Sequence, residues 1–511
     1  MSGHLGNRVR PGFYLDSVAL MRVAREMEAL AGVHTAALMI GTPANKEILA
    51  AAGLLTAEGR RATPRDLIVG ARAASPEALQ NALAQADARL SRPRGGGGNI
   101  AGGKGDGGAG DGWRPRMLRS AVEALPGANL ALVSLPGEFA AEEARKALRA
   151  GLHVLLFSAN VSVEDEIALK SEAQARGLLV MGPDCGTALI GGVPLAFANV
   201  VPRGGVGIVS ASGTGLQEVS SLIARLGGGV SHGIGTGSRD LSEAVGAATT
   251  LRAIEALDAD PATRHIVLLS KPPAAAVAAR VLQRVAASAK PFTICLLGLE
   301  PPGLPPNARA AATLQQAAEM AAEATLPEED GDNPSAGGRP PGRPGWLRGL
   351  FAGGTLCAEA QVIARSAGLA AASNAPIPGV EPVTDDRAAG HTLLDLGAEQ
   401  YTIGRPHPMI DPAPRDAMLR TALQDPQVAV VLLDVVLGFG AHQNPAQGPA
   451  RAVAEAGRDR PAVVASVCGT DDDPQGRRRQ VDALRKAGVL VAASNAAAAR
   501  LALSLLPGGS P

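Results

Sequence analysis

Short apolar runs alternate with longer amphipathic stretches along most of this chain, and the alternation predicts strands and helices in turn. Leu20, Val23, Ala24, Met27 and Leu30 recur at helical spacing and predict a helix over 18–31. Strands are predicted over 33–40 and 65–70, with a short helix over 45–52 between them. A further helix opens at Ser75 as N-cap, with Pro76 in the first helical position. From 113 to 203 the runs 129–135, 152–157 and 178–181 predict strands, and 140–150 and 163–176 predict helices. That is βαβαβ grammar, and it implies a parallel sheet with right-handed crossovers. From 204 to 300 strands are expected over 206–209, 265–270 and 292–297, with helices over 214–226, 242–257 and 274–288. A glycine loop is expected over 233–240. A helix-like run, 308–325, lies inside a Pro-, Gly- and acid-rich stretch, 301–344.

The pattern then repeats. Gly349-Leu350-Phe351-Ala352-Gly353-Gly354-Thr355 has the outline of Gly207-Ile208-Val209-Ser210-Ala211-Ser212-Gly213-Thr214. Asp425-Pro426 before an apolar run repeats Asp260-Pro261 before 266–269, and Arg460-Pro461 before 462–464 repeats Lys290-Pro291 before 292–294. Three matches in the same order imply an internal duplication, with 345–511 a diverged copy of 204–300. The expected organisation is an N-terminal α/β unit (1–90), a Gly-rich linker (91–112), an α/β domain (113–203), a first copy (204–300), a linker (301–344) and a second copy (345–511).

Composition narrows the function classes. Hydrophobic residues make up 46% of the 511, but aromatics only 2%, so the cores are built from Ala, Val, Leu and Ile. The formal net charge is zero, which favours neither nucleic acid nor an anionic membrane as partner. No apolar run reaches membrane-spanning length. Cys185, Cys295, Cys357 and Cys468 are scattered without a CxxC pair, which suggests a reducing, cytoplasmic setting and no metal site. Lys104 follows two glycines, but no Ser or Thr succeeds it, so 91–112 reads as a flexible linker rather than a P-loop.

Candidate chemistry gathers where strands end. Ser212, Gly213 and Thr214 form a small-residue turn between a strand and a helix, a place where free N–H groups and the helix dipole attract an anion. The same unit also serves as plain packing. If the two copies pack about a pseudo-two-fold axis, Gly353, Gly354 and Thr355 face them across one shared anion. Ser134, Gly137, Ser158, Asn160, Asp184 and Cys185 fall at the carboxyl ends of the strands in 113–203, the usual ligand edge of such sheets. No GxGxxG turn is present, which disfavours NAD and FAD. Arg239 is either an anion clamp or a surface arginine on a solvated loop. Arg405, His407 and Asp411 share a proline-stiffened loop, and His442 ends the next strand. Each histidine is either an acid–base or phosphoryl-accepting group or a brace for its loop. Asp471, Asp472 and Asp473 read as helix-start acids before Pro474, and Cys468 as a buried small residue.

These segments resemble a known family. Gly182-Pro183-Asp184-Cys185-Gly186, the run 204–214 and Gly233-Ile234-Gly235 are similar to the succinyl-CoA synthetase alpha subunit. Tyr14-Leu15-Asp16-Ser17-Val18, the runs 39–42, 155–161 and 211–218, Phe197-Ala198-Asn199, His407-Pro408-Met409-Ile410-Asp411 and Gly440-Ala441-His442 resemble the FdrA-type proteins of that superfamily, described as acyl-CoA synthetases. The resemblance implies an α/β protein: a Rossmann-like CoA-binding-type domain followed by two flavodoxin-like ligase domains. It implies acyl-phosphate chemistry, with CoA or phosphate as bound ligand. It also implies unlike partner subunits, because FdrA-type proteins are linked to oxamate carbamoyltransferase, which interconverts oxalurate plus phosphate with oxamate plus carbamoyl phosphate. Three departures stand out. Gly298-Leu299-Glu300-Pro301 holds no histidine where the alpha subunit is phosphorylated. Ser270-Lys271-Pro272 replaces its supporting glutamate. No ATP-grasp module is readable. A non-catalytic scaffold subunit is the alternative these departures suggest.

Overall fold

The computed structural model describes residues 3–13, 15, 17–91, 115, 117–299, 303–327, 343–383, 389–402, 406–457 and 459–506. Most of the expected 91–112 linker, much of 301–344, and Arg405 lie outside them. The chain divides into two compact units, 1–117 with 399–406, and 118–398 with 407–511.

In the first unit β1 (His4–Arg10), α1 (Ser17–Glu28), β2 (Val33–Ile40), α2 (Pro43–Ala51), α3 (Ala57–Arg61), β3 (Leu67–Ala73) and α4 (Pro76–Ser91) follow one another. The sheet is antiparallel in the order β1-β3-β2. The two-residue period of β3 fixes its two faces. Leu67 and Val69 join the core beneath α1 and α4, whereas Ile68 joins Leu49 and Leu54 on the opposite side. Ser75 caps α4, its Oγ accepting the Ala78 N–H at 3.2 Å.

The second unit begins with α5 (Leu118–Ala124), β4 (Leu130–Val133), α6 (Gly137–Arg149), β5 (His153–Leu156), α7 (Val163–Ala175) and β6 (Val180–Met181), the three strands forming a parallel sheet β4-β5-β6. Next comes a hairpin, β7 (Thr187–Ile190) and β8 (Val193–Ala196), turned by Gly191 and Gly192 at φ 61° and 86°. Positive φ at both central residues suits the right-handed twist of the strands. The hairpin falls within the expected 113–203 segment, yet β7 hydrogen bonds antiparallel to the following domain, whose sheet is therefore mixed.

That domain holds β9 (Val206–Ser210), α8 (Gly213–Arg225), β10 (Val230–Gly235), α9 (Ala248–Ala259), β11 (His265–Ser270), α10 (Ala275–Ala286), β12 (Phe292–Leu296), β13 (Ala308–Ala310) and α11 (Leu314–Ala322). Gly233, Ile234 and Gly235 are in β10 rather than in a loop. The helix expected over 242–257 starts later, at 248, because Gly246 and Ala247 take positive φ and Asp240 accepts the Thr249 and Thr250 N–H groups at 3.0 and 2.8 Å. The run 308–325 divides at Thr313, which caps α11, so its first residues are free to pair as a strand.

The remaining elements are β14 (Trp346–Phe351), α12 (Gly354–Ser366), β15 (Ala371–Ser373), β16 (Glu381–Pro382), β17 (His391–Asp395), α13 (Glu399–Thr402, in the first unit), α14 (Ala413–Gln424), β18 (Val428–Val436), α15 (Gln447–Glu455), β19 (Ala462–Cys468), α16 (Arg477–Lys486), β20 (Leu490–Ala492) and α17 (Asn495–Ser504). The sheet orders are β13-β12-β11-β9-β10-β7-β8 and β16-β15-β17-β14-β18-β19-β20. Numbered within each half, the shared strands run 5-4-3-1-2 in one and 2-1-3-4-5 in the other, which is one flavodoxin-like order. The duplicated segments, β9 with β14, β11 with β18 and β12 with β19, occupy matching places. Helices α8, α11, α12 and α17 pack against one another between the halves, and their apolar faces merge into one large core.

Candidate functional site

Strand β9 delivers the chain to Ser212, where the backbone turns and α8 begins. The Ser212 Oγ accepts the Gly215 N–H at 3.0 Å and caps the helix. Strand β14 does the same at Gly353, where α12 begins without a side-chain cap. The two helix starts meet. Ser212 Oγ and Thr355 Oγ1 are hydrogen bonded, and the Thr355 N–H donates to Thr214 Oγ1 at 3.4 Å. A Cβ on Gly215 would lie 3.2 Å from the Thr355 methyl group, so glycine keeps the approach open. Residues 212–214 and 353–355, far apart in sequence, thus share one location.

The second tip is already partly neutralised. The Asp434 carboxylate, fully buried in β18, accepts the Ala352 and Gly353 N–H groups at 2.7 Å each. Gly353, expected to face a phosphate, therefore spends its N–H on an internal acid. Burial raises the Asp434 pKa, and Arg415, 3.8 Å from Oδ1, opposes that rise. Asp395 ends β17 beside the first turn of α12, with Oδ2 2.5 Å from where a Cβ on Gly354 would stand. The Gly397 N–H donates to Asp395 Oδ1 at 2.9 Å, and Asn374 holds the Asp395 peptide on both sides, at 2.8 and 2.9 Å. Burial pushes Asp395 up to about 6, against the pull of Lys271 from the other half. Lys271 itself is exposed just past the end of β11.

His407 borders this cluster. Its Nε2 lies 2.5 Å from the place of a Cβ on Gly397, and its Nδ1 accepts the Met409 N–H at 3.2 Å. With Nδ1 an acceptor, the ring proton sits on Nε2. Burial lowers the pKa to about 4, so the ring is neutral at pH 7. His442 is tied to the same loop, its N–H donating to the Met409 carbonyl at 2.8 Å and its Nδ1 accepting the Asn444 N–H at 3.1 Å.

Arg239 is committed elsewhere. Its Nε and Nη2 bond Glu166 Oε2 and the Val161 carbonyl at 3.0 and 2.7 Å. It belongs to a buried network in which Lys170 bridges Glu166 and Asp240 at 2.7 Å each. Arg239 is thus tied to the chain's own acid and carbonyl groups. Arg405 lies outside the described residues.

At the carboxyl edge of β4, β5 and β6, Ser158 Oγ accepts the Leu135 N–H at 2.8 Å, and the Asp184 N–H donates to the Ser158 carbonyl at 3.0 Å. Asn160 and Asp184 take left-handed φ of 59° and 55°. A Cβ on Gly137 would meet the Asn160 carbonyl, so glycine is needed where the turns that carry Gly137 and Asn160 touch. Ser134 follows β4 directly. Cys185 is buried, its thiol pushed up to about 12, which removes it as a nucleophile.

Sequence reasoning did not single out Asp395, Asp434 and Arg415. The available signal was an isolated acid inside an apolar run, in Leu393-Leu394-Asp395 and Leu432-Leu433-Asp434. Asp473, read as a helix-start acid, instead binds the two halves. It accepts the Val200 and Thr470 N–H groups and the Asn199 amide at 2.7, 2.8 and 2.8 Å.

A CoA-ligase family model matches residues 350–505, and a model described as the AllF heavy metal-associated domain matches 3–104. That N-terminal segment contains no cysteine, so its residues do not fit a thiolate site for a soft metal. Among the described residues no group of three or more His, Cys, Asp or Glu side chains could hold a metal ion. No described helix is long and apolar enough to cross a membrane. The chain is 31% identical over 157 residues to the succinate–CoA ligase alpha subunit of Aquifex aeolicus, covering 28% of this chain and 48% of that one. It is 26% identical over 151 residues to the ADP-forming sulfoacetate-CoA ligase subunit SauD of Bilophila wadsworthia, covering 28% and 50%. It thus spans about half the length of these ligase subunits. The dinucleotide-forming acetyl-coenzyme A synthetase 1 of Ca. Korarchaeum cryptofilum, solved with phosphate and ADP, aligns over 75% of this chain and 84% of its own at 18% identity and TM-score 0.29. YahF of Escherichia coli K12, described as uncharacterized, is 40% identical over 504 residues, covering 95% of this chain and 96% of its own. The chain belongs to the family of YahF, within the CoA-ligase superfamily that includes the succinate–CoA ligase alpha subunits.

Proposed function

We propose that this chain binds the phosphate group of an acyl or carbamoyl phosphate at the junction of α8 and α12 and acts in transfer of the acyl or carbamoyl group. The observation that carries this reading is the meeting of the two helix starts through Ser212, Thr214 and Thr355. A tetrahedral anion there takes N–H groups of Gly213, Thr214 and Gly354 and the three hydroxyls, with Lys271 adding charge from outside. CoA is the acyl acceptor in the ligase form of the reaction, and the edge lined by Ser134, Ser158, Asn160 and Asp184 is its proposed contact surface. His407 acts as a neutral donor through Nε2, and His442 is the remaining acid–base candidate.

The segment after β12 favours one form of this chemistry. The resemblance places Gly298-Leu299-Glu300-Pro301 where the alpha subunit carries its phosphorylated histidine, and Ser270-Lys271-Pro272 around the position of its supporting glutamate. A phosphate cradle without that nucleophile suits direct attack of phosphate on a carbonyl, as in oxalurate plus phosphate giving oxamate plus carbamoyl phosphate. In this form the chain works with unlike subunits; a scaffold role follows if it binds but turns nothing over. Calorimetric titration of the full chain with carbamoyl phosphate, acetyl phosphate and CoA tests the reading, followed by assay of carbamoyl transfer to oxamate. Binding of an acyl or carbamoyl phosphate that weakens about tenfold or more in Thr214→Asp, through like-charge repulsion, supports it. Absence of binding, or binding indifferent to that change, removes it.

A further inference from the structure

We propose that His153, His232 and His391 form an acid-sensitive latch, one ring in each sheet described for the second unit, which holds the end of a strand ladder when neutral and releases it when protonated.

The three rings make the same kind of bond. Nδ1 of His153 accepts the Leu179 N–H at 3.0 Å, Nδ1 of His391 accepts the Leu347 N–H at 2.9 Å, and Nδ1 of His232 accepts the Gly191 N–H at 3.1 Å. Each bond lies just beyond a ladder. Strands β5 and β6 are in register from Val154 and Val180, and β14 and β17 from Arg348 and Thr392. His153 and Leu179 therefore stand one residue before the first pair, as do His391 and Leu347. Strands β7 and β10 end their register at Ile190 and His232, one residue before Gly191. A side chain thus adds one rung to each ladder.

An imidazole nitrogen that accepts an N–H carries no proton, so each neutral ring holds its proton on Nε2. Protonation places a second N–H at Nδ1, facing the main-chain donor. Two donors then oppose each other, and the rung is lost. His265, which opens β11, is built differently. Its Nε2 meets the Thr293 hydroxyl at 2.9 Å, and a hydroxyl accepts as readily as it donates, so protonation leaves that bond in place. Burial lowers the pKa of all four rings, so the nature of the partner, not the direction of titration, sets the three apart.

The charged neighbours do not reverse that direction. Arg252 of α9 adds to burial at His153, and Arg348 of β14 adds to it at His391. At His232 burial and Arg203 outweigh Asp260, whose Oδ2 is 3.8 Å from Nε2. All three rings therefore titrate below the ordinary 6.5 in the folded chain. The stability that the rungs contribute is fully present above the unfolded value and is lost as pH falls through the folded ones.

Hydrogen–deuterium exchange of the full chain, read by mass spectrometry at pH 7 and pH 5 and corrected for intrinsic rates, tests the latch. Peptides that carry the Leu179, Gly191 and Leu347 amides should lose about tenfold or more of their protection at pH 5, the worth of one hydrogen bond. In His153→Asn, His232→Asn and His391→Asn the amide oxygen takes the place of Nδ1 and does not titrate, so each variant should lose the pH effect at its own rung and keep it at the other two. Equal protection at the two pH values in wild type, or a pH effect that persists in an Asn variant at its own rung, overturns the proposal. Should the variants fail to fold, wild type decides by comparison with β12, which carries Thr293 opposite His265. A loss confined to the three rungs supports the latch, and a loss of the same size in β12 overturns it.

Discussion

The Glu359 carboxylate, inside α12, accepts the Leu314 N–H at the start of α11 at 2.6 Å, and Glu218 in α8 accepts the Asn495 N–H at the start of α17 at 3.0 Å. Glu218 lies five residues beyond Gly213, as Glu359 does beyond Gly354, so the two bonds are the same bond made twice. Each half caps a helix of the other with a buried acid, beside the helices whose tips form the proposed anion site.

Reciprocal capping gives a pH dependence. Burial and the neighbouring Glu218 charge push Glu359 up to about 7, against the Asn495 amide and the Leu314 N–H. In the unfolded chain the group titrates near 4.5, so between 4.5 and 7 the folded state holds the proton more firmly. The contribution of Glu359 is therefore full below about 4.5 and lost as pH rises through about 7, on the order of 3 kcal/mol at most. Denaturant midpoints between pH 5 and 8 should fall in wild type and fall less in Glu359→Gln. That variant starts from a lower baseline because its Nε2 would face the Asn495 amide that now donates to Oε2. Equal slopes in the two proteins would rule the assignment out.

Gly354 stands at the contact of tip and carboxylate. A Cβ there would lie 2.5 Å from Asp395 Oδ2, and Asn374 prevents the acid from retreating. Gly354→Ala should destabilise the fold by about 1–3 kcal/mol, the range for overpacking, and weaken phosphate binding as well. Gly368→Ala, at positive φ with open space around it, supplies a comparison with backbone strain but no lost contact. Its phosphate affinity should stay at the wild-type value in the same titration.

Local signals carried the strand and helix pattern and the start of α8, where one serine both ends a strand and caps a helix. The duplication was legible too, because Gly-Thr after an apolar run recurs in both copies. What escaped was long-range. The Gly191-Gly192 turn is a plain hairpin signal, but nothing local says that β7 will pair with β10, in the next domain. Arg239 reads in sequence as either an anion clamp or a surface arginine, because its partner, Glu166, is distant in sequence and inconspicuous on α7. Asp434 and Asp395 are single acids in apolar strands, and only the assembled tips reveal that two of the chain's own carboxylates sit beside the start of α12.

Removing Arg239 separates scaffold from site. It leaves Glu166 buried with Lys170 as its remaining charged partner. Because the guanidinium is partly exposed, Arg239→Ala should cost only about 1–2 kcal/mol of stability. Phosphate affinity should remain unchanged in the calorimeter. A loss of affinity at full stability would return Arg239 to the ligand side.

His407 supplies a pH effect of opposite sign to that of Glu359. Its ring falls from an ordinary 6.5 to about 4, and the cause is burial. The unfolded chain therefore binds the proton more readily than the folded one between 4 and 6.5. The stability involved is present above about 6.5 and is lost as pH falls towards 4, roughly 2 kcal/mol of it by pH 5. His407→Gln keeps an acceptor for the Met409 N–H and cannot titrate. Between pH 7 and 5 the variant should lose less stability than wild type by about that amount, as measured by urea unfolding. The same neutral ring, with Nδ1 occupied and the proton on Nε2, offers no free lone pair for phosphoryl transfer. Incubation with carbamoyl phosphate should accordingly leave no acid-labile, base-stable phosphate on His407, and recovery of such an adduct in a His407-containing peptide would require the loop around Met409 to open during the reaction.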